Sequence, residues 1–218
     1  MNITSVLRAY AIRFFVPSGP YGFLPNTIEA IRARYSFVGA PTLISEIVPT
    51  DPKNGTIFRV GRFVHGEREI IVTELHMYHL GAAASTTSST EDSDLFIDDL
   101  LAWLSSHFQV LLTPYGERAY SSQLEFRLNK PLPEYFPHLA SLGLQIPQFL
   151  SNFWPTKPAY EVTSVTLSFD PNTKLTGLGN FRIERREGTA FDANLYWSEA
   201  PLQTKQHLLL LESFERST

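Results

Sequence analysis

Between Tyr120 and Asn129 two sets of positions alternate without a break. Tyr120, Ser122, Leu124, Phe126 and Leu128 form one set; Ser121, Gln123, Glu125, Arg127 and Asn129 form the other. Successive strand residues point to opposite faces, so 119–129 is predicted as a half-buried strand. Residues 91–107 keep a different period. Phe96, Leu100, Trp103, Leu104 and His107 recur as they would along one stripe of a helix.

The same reading places strands near 5–16, 42–48, 56–64, 68–79, 160–169, 179–186 and 189–197. Helices are predicted from "LPN" to about Tyr35, after "PLPEYF", and over 202–215. Asn26 is the expected cap of the first helix, because its side chain can accept from a free first-turn N–H. His65-Gly66 is the expected turn between two strands, with glycine at positive φ. Pro147 is expected to end or kink any helix that reaches it. The first residues, "MNITSVLRAYAIRFFVPSG", lack acids and carry Arg8 and Arg13, as an organellar transit peptide would. Their β-branched and aromatic content favours a strand instead.

The order of these elements repeats. "FLPNTI" (23–28) matches "PLPEYF" (131–136), and "DPKNG" (51–55) matches "DPNTK" (170–174). "FRVGRFVHG" (58–66) matches "FRIERREG" (181–188), and "LLAWLSSHF" (100–108) matches "HLLLLESF" (207–214). These segments predict two repeats, 1–112 and 113–218, in one continuous domain. The expected fold is α+β: an internally duplicated strand-helix-strands-helix unit forming one antiparallel sheet with helices on one face. This order is similar to the duplicated saddle of the TATA-binding-protein-like fold, and less closely to the helix-grip fold. The stretch "FRIERREGTAFDANLYWSEAPLQTKQHLLLLESFE" also resembles the C-terminus of uncharacterised bacterial proteins. That likeness points to a bacterial or phage source and implies no activity.

Composition narrows the function classes. With 43% hydrophobic and 18% charged residues in 218, the chain can bury a core and is not disordered. A net charge of −4 argues against a general nucleic-acid binder, which usually needs an electropositive face. No run approaches the roughly 20 apolar residues that span a bilayer. The absence of cysteine removes disulfides, thiolate metal sites and thiol nucleophiles, and fits a reducing compartment. A cytoplasmic location and no cofactor are expected.

The stretch that looks most like chemistry is "ELHMYHLGAAASTTSSTEDSD" (74–94). On a strand, His76 shares a face with Glu74 and Tyr78, while His79 points the other way with Leu75 and Met77. One metal cannot easily take both histidines, so no metal is expected there. Glu74 and His76 form either an acid–base pair or an ordinary polar pair of a sheet face. "AAASTTSST" is a loop or a strand of small residues. Ser88 and Glu91 have capping-box spacing, and Glu91, Asp92 and Asp94 suit the positive end of the helix that follows. The calcium-loop pattern fails for want of a turn glycine and a closing glutamate.

Elsewhere "GLGNFR" (177–182) lacks a third glycine and precedes a strand, so it is no dinucleotide fingerprint. Asp98 and Asp99 are adjacent on a helix and diverge. No nucleotide-loop, G-x-S-x-G or H-E-x-x-H sequence occurs. In the repeated "FR[V/I]", Phe58 with Val60, and Phe181 with Ile183, are expected to face the helices. Arg59 and Arg182 then project from the open face at equivalent places, with Arg186 on the side of Arg182. Their planar forks suit an anionic ligand, or cross-strand ion pairs. In 135–155, Phe149, Phe153 and Trp154 either pack over the sheet or offer a partner an apolar surface. The expected function is a non-catalytic binding or assembly module, acting on a protein partner or on itself. The alternatives are a small-molecule or anionic-ligand site between sheet and helices, and an enzyme of unrecognised type.

Overall fold

The computed structural model describes residues 1–18, 25–47, 55–114, 118–150, 158–170, 172 and 179–216. The N-terminal stretch is a strand, β1 (Asn2–Ser18). There follow α1 (Pro25–Arg34), α2 (Ile44–Ile47), β2 (Thr56–His65), β3 (Arg68–Tyr78), β4 (Gly81–Thr86) and α3 (Thr90–Phe108). After the short β5 (Leu111–Pro114) come β6 (Ala119–Arg127), α4 (Leu132–Tyr135), α5 (Pro137–Leu150), β7 (Ser164–Leu167), β8 (Phe181–Arg185), β9 (Leu195–Ala200) and α6 (Thr204–Arg216). The class is α+β. Among the described residues nine strands form a sheet in the order β2-β3-β4-β1-β6-β9-β8-β7, with β5 paired to β1. No helix among the described residues is long and apolar enough to cross a membrane.

Among the described residues, and leaving aside a 3-10 turn at Phe191–Ala193, one order of elements occurs twice: strand, two helices, three strands, helix. It runs from β1 to α3 and again from β6 to α6. "LLAWLSSHF" and "HLLLLESF" fall on the closing helices α3 and α6, and "PLPEYF" on α4. "FRVGRFVHG" lies on β2, however, whereas "FRIERREG" begins on β8. In the recurring order β2 takes the place of β7, so Arg59 and Arg182 are not counterparts. "DPKNG" falls almost wholly, and "DPNTK" largely, outside the described residues.

The chain divides into two compact units. The larger holds Val6–Ser122 and Pro201–Gln206; the smaller holds Met1–Ser5, Gln123–Ala200 and His207–Thr218. In the larger unit one face of β1–β4 is apolar. Phe15, Phe58, Val72, Leu75, Met77, Ala82 and Ala84 meet Ile28 and Ile31 of α1 and Phe96, Ile97, Leu100 and Leu104 of α3. Tyr35 packs edge-on to Phe96 with ring centres 4.9 Å apart. Each fully buried phenylalanine here contributes about 1.5–3 kcal/mol. In the smaller unit Leu124, Phe126, Ile183, Tyr196 and Ala200 are buried with Leu211 of α6.

Several local expectations change. Residues 44–47 are helical, not a strand: the Glu46 carboxylate reaches back to the backbone N–H groups of Thr42 and Leu43 at 2.9 and 3.1 Å. This is the return half of a capping box. Asn26 sits inside the first turn of α1, which Pro25 opens. The cap of α3 is Ser89, one residue later than Ser88, and its hydroxyl accepts from Asp92 N–H at 3.1 Å. The helix α5 runs on through Pro147 to Leu150. "GAAAST" is a strand, β4. The turn at Gly66 has φ of +61°, and His65 pairs with Arg68 across it, as expected.

The largest departure is in β2. Thr56 and Phe58 are buried, then Gly61 and Phe63, so the buried parity shifts by one. Val60 sits at the switch with φ of +52° and is 53% exposed. It therefore does not share the face of Phe58. Gly61 takes the buried place, and a Cβ there would lie 2.5 Å from the Phe37 ring. The chain from Tyr35 to Gly39 lines this edge: Val38 N–H donates to Val60 O, and Arg59 and Gly39 exchange backbone hydrogen bonds. An outer strand is thereby covered instead of exposed to edge pairing.

Candidate functional site

The open face of the larger unit is built around β4. Its neighbours are β3 and β1, and register sets Glu74 and Tyr10 on either side of Ser85, and His76 and Ile12 on either side of Ala83. Ala83 and Ser85 are small and buried. Long side chains from β3 and β1 therefore meet above them. On β3, Glu74, His76 and Tyr78 share one face, as the alternation predicted. His76 Nε2 lies 3.3 Å from Glu74 Oε2, and Nδ1 lies 3.4 Å from the Tyr78 hydroxyl. A proton on Nε2 faces the carboxylate, which leaves Nδ1 to accept from Tyr78. Burial, and then the neighbouring Tyr78, push the Tyr10 hydroxyl well above its ordinary pKa.

Two arginines complete the group. Arg59 stands opposite Glu74 across β2 and β3, with its Nε 3.9 Å from Oε1. Arg8 of β1 brings Nη2 to 3.7 Å from Oε2 and lies over the Tyr10 ring at 4.9 Å. The chain thus joins three of its five candidate residues, Arg59, Glu74 and His76, and adds Arg8, Tyr10 and Tyr78. The periodicity of β1 already places Arg8 and Tyr10 on one face, but only the β1–β4–β3 register brings that face beside Glu74. His79 lies beyond the end of β3, exposed in the turn to β4. No group of three or more histidine or acidic side chains among the described residues has the arrangement to hold a metal ion.

The other candidates lie in the smaller unit. Arg182 pairs with Glu184 and stacks over Trp197 at 5.1 Å. Arg186 pairs with Glu125 at 3.3 Å. Each has its own carboxylate on a mixed polar face. A serine–histidine pair also occurs here, which sequence reading missed: Ser198 Oγ and His207 Nε2 are 2.9 Å apart. Both residues are fully buried, and Ser198 donates to the Arg182 carbonyl at 2.7 Å. That hydroxyl proton is committed to the backbone, so the pair ties α6 to β9 and offers no accessible nucleophile.

The acids of α3 act through side-chain partners, not only through the helix dipole. Asp92 is buried and takes both of its bonds from Arg68 Nη2, each at 2.9 Å. Asp94 Oδ2 accepts from Arg118 at 2.8 Å and from Tyr120 at 2.6 Å. Burial, then this bond to Asp94, raises the Tyr120 pKa. Asp98 turns to Arg13 and Arg118, while Asp99 takes Arg34 and Tyr35, so the two adjacent acids do diverge. Arg34, Tyr35, Arg62, Glu69 and Asp99 line a surface pocket of about 370 Å³ whose charges are paired.

The remaining feature is α5. Its fourteen residues carry no acid and no lysine or arginine. Only Gly143 is buried, whereas Leu144 is 74% and Phe149 72% exposed, with Leu139, Leu142 and Ile146 also at the surface. Phe149 therefore does not pack over the sheet; Phe153 and Trp154 lie outside the described residues. No protein-family model matches the chain, and no curated protein matches it in sequence.

Proposed function

We propose that the protein is a non-catalytic assembly module whose contact surface is α5 and whose partner is a second copy of the chain. The observation that carries this reading is the exposure of five large apolar side chains on a helix without charge. Apolar area in water is costly at roughly 25 cal/mol per Å², and a contiguous patch of it marks an interaction surface. An uncharged apolar patch meets its own copy without like-charge repulsion, which suits a two-fold contact. The twice-occurring element order supports descent from a duplicated unit.

The test is oligomeric state. Native mass spectrometry and light scattering on the full chain are expected to find a dimer. Leu142→Glu with Phe149→Glu, on one side of α5, is expected to give a monomer with unchanged circular dichroism, since both side chains are exposed. A wild-type monomer at high micromolar concentration overturns self-assembly; a dimer that survives both substitutions overturns the role of α5.

A further inference from the structure

On the open face of the larger unit, two guanidinium groups converge on one carboxylate and hydrogen-bond to neither of its oxygens. Arg8 and Arg59 stand 3.7 and 3.9 Å from different oxygens of Glu74. A charged N–H···O bond is about 2.7–2.9 Å long. Their charge is thus partly balanced while their donors are not. A guanidinium has five such donors in a fixed plane. Glu46 also feels the charge of Arg59, so the arginines are attractive to an anion through their open donors rather than through an excess of charge.

We propose that Arg8 and Arg59 form a binding site for a tetrahedral oxyanion, a phosphate or sulfate group, with Glu74 as the internal anion that the ligand displaces. The geometry selects the shape of the ligand. A planar carboxylate fixed on β3 reaches towards both forks and falls short of each. A tetrahedral group offers oxygens in several directions and, being free to settle between the forks, accepts from both. Both arginines are reachable, with side chains 44% and 61% exposed. Arg8 is steadied by the Tyr10 ring beneath it, and Glu74, once displaced, keeps His76 as its partner. The buried Ala83 and Ser85 leave the space above β4 to these long side chains.

The test is calorimetric titration of the full chain with inorganic phosphate, with sulfate and acetate in parallel. Phosphate and sulfate are expected to bind at one site, and acetate at least about tenfold more weakly. Arg8→Ala and Arg59→Ala are each expected to weaken phosphate about tenfold, the loss of a charge-assisted contact. Arg182→Ala, in the smaller unit, is expected to change nothing. Glu74→Gln is the diagnostic variant: removing the competing carboxylate is expected to tighten phosphate several-fold. The proposal is overturned if Glu74→Gln shows no phosphate heat at tens of millimolar. It is equally overturned if acetate binds as well as phosphate, or if neither arginine substitution changes affinity. Circular dichroism of each variant confirms that the sheet is intact.

Discussion

Val60 shows what one residue does to a strand. A β-branched side chain at φ of +52° is held in the left-handed region, where the crowding of Cβ against backbone costs roughly 1–2 kcal/mol. Its neighbours hold it there through the Val38 N–H to Val60 O bond and the tight approach of Gly61 to Phe37. Glycine would adopt this conformation freely but costs about 0.5–1 kcal/mol of extra unfolded-state entropy. Val60→Gly is therefore expected to stabilise the protein by about 0.5–1 kcal/mol in urea unfolding. Val64→Gly, exposed on the same strand at ordinary φ, is expected to destabilise it. Glu46 gives a pH-dependent counterpart. Backbone N–H groups of Thr42 and then Leu43 lower its pKa below the ordinary 4.5. A depressed carboxylate stabilises the fold above its unfolded pKa, and that gain is lost as pH falls through the folded value. Glu46→Gln is expected to lower the melting temperature at neutral pH and to have a shallower dependence on pH below 4.5.

At the scale of an element, α3 is held by its polar N-terminal half as much as by its apolar stripe. Ser89 caps it, and loss of such a cap costs about 1 kcal/mol. Asp94 costs more to remove. Its carboxylate is the acceptor for Arg118 and Tyr120 and lies 4.0 Å from the largely buried Arg13. Asp94→Ala removes the acceptor of Tyr120 and of one Arg118 nitrogen beside a largely buried Arg13, while Asp98 remains for Arg13 and the other Arg118 nitrogen. The expected loss is about 3 kcal/mol, against about 1 kcal/mol for Ser89→Ala, both measured by urea unfolding.

At the scale of the whole molecule, the compact units do not coincide with the halves of the chain. The larger unit needs Thr204, whose hydroxyl accepts from Thr90 N–H at 3.0 Å while the Thr90 hydroxyl accepts from Thr204 N–H at 2.8 Å. It also needs Arg118 and Tyr120 for Asp94. A fragment ending at residue 112 lacks all three. Fragments 1–112 and 116–218 are therefore expected to be insoluble or unfolded when expressed apart, and to be partly rescued by co-expression. Soluble halves that each melt cooperatively would contradict this. Burial is also the first cause of raised pKa values at Tyr10, Tyr35, Tyr120, Tyr135 and Tyr196. Above the unfolded value of 10.0 the folded chain then holds more protons than the unfolded one, so stability falls as pH rises. Phenolate absorbance is expected to show a fraction of tyrosines that ionise only as the chain unfolds.

The sequence by itself determined what depends on neighbours a few residues away. The alternation in 119–129, the stripe of α3, the His65-Gly66 turn and the shared face of Glu74, His76 and Tyr78 follow from backbone periodicity and turn chemistry. Tertiary structure decided whatever depends on register between distant segments. Arg8 meets Glu74 because β4 inserts small residues between β1 and β3. Asp94 finds Arg118 and Tyr120 across 24 and 26 residues. Val60 turns outward because Tyr35–Gly39 bonds to the edge of β2 and Phe37 fills the place of a side chain on Gly61. A local pattern sets the face on which a side chain stands; the partner it finds there is set by strands and helices whose pairing is a property of the folded chain.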